Sequence, residues 1–313
     1  MSTNKKRRHH YVWRGYLRAW AIDEKIYCLC NNKIINPNLM GVAVQKDFYK
    51  LNELSNDDIE FIRNHIIKIS PKESRRCHEN LLNAFTYVHQ SLKKYPEIKS
   101  SKNPEVREAI DLYLHNQEED LHTGIESIGE KYLECLRNKD VAFFETDKGF
   151  RDFIYYLCIQ YMRTKKIRES NIKKFRSTPH QNAMNKSWNI ISHILATNMG
   201  GSFYIDRKNF KLMMIENNTK NDFITGDQPV INIFSLSTIK DEPIENIAFY
   251  YPISPKLAVF VIEKNRFEGM TILSVTEQEV DSYNEAIIQC SFEQVFSLKR
   301  GTLEQILNDN TFD

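Results

Sequence analysis

The pattern of apolar and polar positions changes character twice along the chain. Near the N-terminus the apolar positions come in short runs. Tyr16-Leu17-Arg18-Ala19-Trp20 reads as a short helix, Lys25 to Leu29 alternates as a strand, and Asn31-Asn32-Lys33 supplies a turn. Val42 to Val44 and Phe48-Tyr49 are expected to pair back against that strand. From Ser55 the period becomes helical: Ser55-Asn56-Asp57-Asp58 caps a run in which Ile59, Ile62, Ile66 and Ile69 recur at helical spacing. Helices are predicted at about 73–94, 104–116, 118–138 and 147–163. In the last, Phe150, Phe153, Ile154, Leu157, Tyr161 and Met162 form one apolar stripe. Pro179 opens a further helix over about 180–199, which Gly200-Gly201 should end.

Beyond Gly201 the period shortens to two. Ser202 to Asp206, Phe210 to Ile215, Phe223-Ile224-Thr225, Val230 to Phe234, Ile247 to Tyr251, Leu257 to Ile262 and Thr271 to Val275 all read as strands between turn residues. A helix from Glu277 to Ile288, a strand at Gln294 to Ser297 and a C-terminal helix complete the chain. Helices segregated from a mostly antiparallel sheet indicate an α+β fold rather than a doubly wound nucleotide fold. The expected organisation is one compact unit over 1–313. Its sheet is drawn from the N-terminal strands and the C-terminal third, with a helical insertion over about 55–199 and a β-rich part over about 200–300.

Composition narrows the function classes. With 313 residues, 41% hydrophobic and 27% charged, the chain has the makeup of a globular protein able to bury a sizeable core. Only 10 glycines leave little for a Gly-rich phosphate cradle, and no G-x-S-x-G, H-E-x-x-H, Walker A or G-x-G-x-x-G motif occurs. The six cysteines have no disulfide-framework spacing, and Cys28-Leu29-Cys30 lacks a second Cys/His pair for zinc. These features suggest a reduced, cytoplasmic protein. No window approaches the roughly 18 apolar residues of a membrane helix, so no membrane partner is expected.

Charge is uneven although Lys+Arg 43 nearly balances Asp+Glu 41. Lys5, Lys6, Arg7, Arg8, Arg14 and Arg18 fall within the first 20 residues without an acid. Residues 163–176 hold Arg163, Lys165, Lys166, Arg168, Lys173, Lys174 and Arg176 against Glu169 alone. The remaining chain is therefore net acidic, and the two basic segments suit a phosphate-bearing ligand. The competing reading is a solvated N-terminus and a charged loop between helices.

Three stretches carry a family resemblance. The opening His9-His10-Tyr11-Val12-x-Arg14-x-Tyr16-Leu17-Arg18-x-Trp20 resembles the N-terminal signature of a bacterial family known only as a domain of unknown function, number 4238. Phe223-Ile224-Thr225-Gly226-Asp227-Gln228-Pro229-Val230 is similar to its Phe-Ile-Thr-Ser-Asp-Asn-Pro-Val motif. Tyr251-Pro252-Ile253-Ser254-Pro255 matches its Pro-Leu-Ser-Pro step. Gln160-x-x-Arg163-Thr164 and Asn284 agree as well. Trp13 stands where the family usually has Pro, and Gly226 and Gln228 replace the commoner Ser and Asn. The family has no settled activity, so the resemblance supports the choice of residues and leaves the chemistry open. A bacterial toxin or phage-defence role is the context it suggests.

The expected site joins these stretches. His9 and His10 are candidate acid–base groups with pKa values near neutrality. On a strand they would point to opposite sides. Asp227, ahead of Gln228-Pro229, is a carboxylate at a strand end, although an Asx-type turn would use it structurally. Tyr156, Gln160 and Arg163 share a helix face, and Arg163 could instead pair with Asp227 as a buried ion pair. Catalytic expectations thus fall on His9, His10, Asp227, Gln160 and Arg163, and substrate contacts on Arg14, Tyr156, Arg18, Lys165, Lys166, Arg168 and Gln228. The most concrete reaction is phosphodiester cleavage of RNA or another nucleic acid by His acid–base catalysis. The rival is a non-catalytic sensor for an anionic ligand or a protein partner, with a homo-oligomer also open. Tyr11, Trp13, Tyr16 and Trp20 among the arginines would then serve stacking. No cofactor and no metal ligand set is assigned, although a divalent metal stays open. His115, Glu119 and His122 share a helix face, which reads better as a solvated acidic surface than as half of a di-iron site. His180, at a helix start, is a weaker candidate.

Overall fold

The computed structural model describes residues 4–236, 247–266 and 271–308. Its architecture is α+β with mostly antiparallel sheets and a helical middle. Lys25–Cys30 and Lys33–Ile35 form a hairpin whose two central residues, Asn31 and Asn32, both have positive φ, as a two-residue turn that follows the twist of the strands requires. Ala21–Ile22 flanks this hairpin on one side. On the other lie Val295–Ser297 and then Thr225–Gly226, so the N-terminal strands and the C-terminal third do build a shared sheet. A second sheet has the order Ile272–Ser274, Phe210–Glu216, Leu257–Glu263, Phe249–Ser254, Ile231–Asn232, parallel only between its first two strands.

The segment around Val44 departs from expectation. Val44–Lys46 does not pair with the Lys25 strand but with Arg8–His10, in a separate two-stranded ribbon. The basic N-terminus is therefore held in place, and His9 and His10 are fixed opposite Gln45 and Val44.

The helical middle follows the 3.6 period with three corrections. Ser55 caps Asn56–Ile62 through a reciprocal bond pair with Asp58, but a π turn over Arg63–Ile67 then shifts the phase. Ile67 becomes buried and Ile69 is 77% exposed. The two helices expected at 104–116 and 118–138 are one helix, Pro104–Arg137. Asn116, the expected end of the first, is buried within it. Its side chain accepts from the Lys6 backbone N–H and donates to the Asn4 carbonyl, so tertiary contacts use its polar groups and the helix continues. Gly200-Gly201 does not end the helix Gln181–Ile205, and no strand forms at 202–206. Space beside these glycines is open, since an added Cβ would meet nothing closer than Tyr155 Cα at 3.9 Å.

Asp147–Met162 is the central helix and is buried nearly all round, as a helix enclosed by its neighbours should be. It packs between Pro104–Arg137 and Gln181–Ile205. Its buried Phe153, Tyr156 and Leu157 join one core with Tyr16, Trp20 and Tyr251 of the N-terminal helix and second sheet. A second core lies between strands and the helix Glu277–Cys290. The segment Lys165–Lys174, expected as a charged loop, is a helix capped by Thr164. No helix among the described residues is long and apolar enough to cross a membrane.

Candidate anion groove and buried histidine cluster

Strand alternation gives the two adjacent imidazoles different environments. His9 is fully buried. Its Nδ1 accepts from the Tyr49 backbone N–H at 2.7 Å and its Nε2 donates to the Lys6 carbonyl at 3.0 Å. Burial lowers its pKa, so it is a neutral ring with both nitrogens occupied. This is a structural role, in place of the expected catalytic one. His10 differs. Burial first, then the Arg14 charge, pushes it down to about 4. Its buried Nε2 has no hydrogen-bond partner.

His10 lines a groove of about 730 Å³ together with Lys5, Lys6, Arg7, Arg8, Trp13, Arg14 and Arg18, with Glu119 and Glu126 opposite in sign. Four of the six cations are already paired: Lys5 with Asp111, Lys6 with Asp120, Arg7 with Asp47, and Arg18 with Glu24. The N-terminal positive charge is thus mostly compensated by carboxylates remote in sequence. Arg8 and Arg14 instead reach Met40, through its carbonyl and its sulfur respectively, and neither forms an ion pair among the described residues. Of the four interleaved aromatics, Tyr11, Tyr16 and Trp20 are core residues. Only Trp13 faces the groove, and its ring occupies the space beside Gly15, where an added Cβ would come within 2.4 Å of it.

The central helix contributes support rather than open functional groups. Arg163 is 4% exposed. It donates to the Tyr49 hydroxyl, to Glu126 and, at 2.7 Å, to the His10 carbonyl. The expected Arg163–Asp227 pair is absent: its partner is Glu126, which also lines the groove. His10 and Arg163 therefore meet. Gln160 is buried with its amide nitrogen unpartnered, and Tyr156 shares its hydroxyl with Tyr251 at 2.9 Å inside the core.

Asp227 is not part of the groove lining. Its carboxylate accepts three backbone N–H bonds, from Phe292 at 2.7 Å, Glu293 at 2.9 Å and Gln294 at 3.2 Å. Burial nevertheless pushes its pKa up to about 6 against those donors. Gln228 gives its amide to the Tyr161 and Val230 carbonyls and accepts from Thr164. Lys165 pairs with Glu293 at 2.6 Å and Lys166 donates to the Ser291 carbonyl. Gly226 has the same neighbour, since an added Cβ would lie 2.0 Å from Ser291 Oγ. Asp227, Gln228, Lys165 and Lys166 thus belong to the anchoring of the 291–294 loop and its surroundings, in place of expected catalysis or substrate contact. Arg168 is held by Glu169 and Asn185. His180 packs its ring against Phe61 and His65.

A second constellation lies in the helical core. Glu118 and His122 face each other at i, i+4 on Pro104–Arg137, and His193 of Gln181–Ile205 completes the group. Glu118 Oε1 is 3.6 Å from His122 Nε2 and 3.5 Å from His193 Nε2. All three residues are at most 2% exposed. The imidazoles stack at 5.1 Å between Tyr49 and Phe85. Burial, reinforced by the Arg163 charge, holds His122 well below its ordinary value and His193 at about 4. Burial holds Glu118 well above its own. Both nitrogens of both rings and Glu118 Oε2 have no hydrogen-bond partner, a cost of about 1–3 kcal/mol for each such atom. The predicted solvated acidic face is therefore incorrect. His122 is core, and so is His115, which bonds the Asp111 carbonyl. The carboxylate facing His122 is Glu118, not Glu119. His193 sits in an apolar run of a distant helix with no local signal. Glu119 turns toward the groove, its carboxyl raised by burial to about 7.

The family model described as protein of unknown function (DUF4238) matches residues 8–301, and the chain belongs to that family. The match takes in the N-terminal ribbon, the central helices and the Asp227 turn. No curated protein and no solved structure matches the chain.

Proposed function

We propose that the groove at the N-terminal ribbon binds a phosphate-bearing ligand, and that the protein cleaves a phosphodiester there, with RNA as the substrate class. One observation carries this reading. His10 lines a groove in which Arg8 and Arg14 hold no carboxylate, and its buried Nε2 has no hydrogen-bond partner. No partner fixes a proton on Nε2, so the neutral ring can carry its lone pair there. That atom can take the proton of an attacking hydroxyl. A new P–O bond forms, the P–O bond to the leaving oxygen breaks, and solvent returns a proton to that oxygen. Arg8 and Arg14 would oppose the charge that builds on phosphorus, and Trp13 offers a ring for base stacking.

The rival reading is a sensor that binds the same anion without turnover. It shares every contact except the use of His10 as a base. Labelled RNA incubated with the full chain separates the two, beside Arg8→Ala, Arg14→Ala and His10→Ala. The proposal expects weaker binding in both Arg variants, with a reduced salt dependence of about one counterion each. It expects loss of cleavage in His10→Ala with binding retained. Binding without cleavage in the wild type favours the sensor, and unchanged affinity in both Arg variants refutes the groove.

A further inference from the structure

We propose that Glu118, His122 and His193 form a binding site for one divalent first-row transition-metal ion, of the kind represented by Zn²⁺ or Fe²⁺. The inference stands on the helical core alone and does not depend on the groove or on phosphodiester chemistry.

The geometry is the first support. A tetrahedral ion with metal–ligand bonds of about 2.0–2.2 Å separates its ligand atoms by about 3.4 Å. Glu118 Oε1 lies 3.6 and 3.5 Å from the two Nε2 atoms. All three side chains offer atoms within 4.8 Å of one another. The two Glu118–imidazole distances are too long for good hydrogen bonds, yet they match two edges of a coordination polyhedron. Two rigid helices hold them: His122 follows Glu118 by one turn, and His193 is presented from the neighbouring helix.

Chemistry is the second support. Imidazole nitrogens with one carboxylate are a ligand set for zinc and for non-haem iron, with a position left for a further ligand. A structural alternative would have used hydrogen bonds, and the Nε2 atoms form none although both rings are buried. Neutral imidazole is the form that binds a metal. Local charge is also compatible. Arg163 is the nearby cation, but it is already matched by Glu126.

The test is equilibrium dialysis of the full-length chain, after chelator treatment, against Co²⁺, Zn²⁺, Fe²⁺, Mn²⁺, Mg²⁺ and Ca²⁺, each alone. One Co²⁺ per chain with visible d–d absorption is expected, displaced by Zn²⁺. Glu118→Gln and His193→Asn, checked for native circular dichroism, should each weaken Co²⁺ binding by at least about 10-fold, the lower limit of what losing even an outer-shell partner costs. If either variant fails to fold, the unmodified chain decides: Co²⁺ should shift two exchangeable imidazole N–H signals far outside the ordinary proton range. The proposal is overturned by a folded chain that binds neither Co²⁺ nor Zn²⁺ at millimolar metal, or by tighter binding of Mg²⁺ or Ca²⁺. It is also overturned by a smaller loss in either folded variant, or by absence of the shifted imidazole signals.

Discussion

Asp227→Ala gives a quantitative test of the turn that the sequence placed in a catalytic site. Asp227 is 1% exposed and accepts three backbone N–H bonds from residues 292–294. Removing the carboxylate leaves three donors without their acceptor. Each net hydrogen bond is worth about 1 kcal/mol, and more when the acceptor is charged. Phe292 and Glu293 are exposed enough for water to replace part of this. A loss of about 2–4 kcal/mol at pH 7 follows, a large fraction of the 5–15 kcal/mol that usually holds a domain together. The pH dependence has a definite sign. The folded pKa of about 6 lies above the ordinary 3.8, so the native state holds this proton more tightly than the unfolded chain. Wild-type stability relative to the variant must rise as pH falls through 6, by roughly 1 kcal/mol between pH 7 and pH 5. Urea unfolding of both proteins at the two pH values measures both quantities. A gap below about 1 kcal/mol at pH 7, or one that narrows at pH 5, would refute the reasoning. Because Asp227 stands outside the groove lining, the folded variant should also bind the labelled RNA as tightly as wild type.

Three further outcomes are expected. His10 should titrate near pH 4 by proton NMR, and Arg14→Ala should raise that midpoint by removing a nearby cation. Because this pKa lies below the ordinary 6.5, the associated stability is lost as pH falls from 6.5 toward 4. Asp47, held at about 2 mainly by its bond to Arg7, should move toward 3.8 in Arg7→Ala. Calorimetry of that variant should show little change in the thermal midpoint, since solvent screens this exposed pair. Gly129→Ala would place a Cβ 2.2 Å from the buried Tyr156 ring. Overpacking between two central helices should cost about 1–3 kcal/mol, seen as a lower thermal midpoint.

Local signals were legible where a contact lies within a few residues. The Ser55 cap, the Asn31-Asn32 turn and the apolar stripe on the central helix all follow from neighbours that any reader of the sequence can see. Errors occurred where a distant partner changed the local preference. The helix expected to end at Asn116 runs on to Arg137, and the N-terminal segment bonds to the Asn116 side chain. Gly200-Gly201 looks like a helix end, but the helix packing leaves open space beside it.

Charge and site chemistry show the same division. The basic N-terminus was visible in the sequence, but its pairing with Asp111, Asp120 and Asp47 was not, because those acids lie far along the chain. The chain itself determined the α+β class, the family and the residues worth attention. Tertiary structure decided their roles: His9 became a core ring, Asp227 a loop clamp, and His10 the groove's imidazole. It also assembled Glu118, His122 and His193 from two helices. Side-chain spacing within one helix is fixed by its period, whereas contact between helices depends on packing that no local pattern encodes.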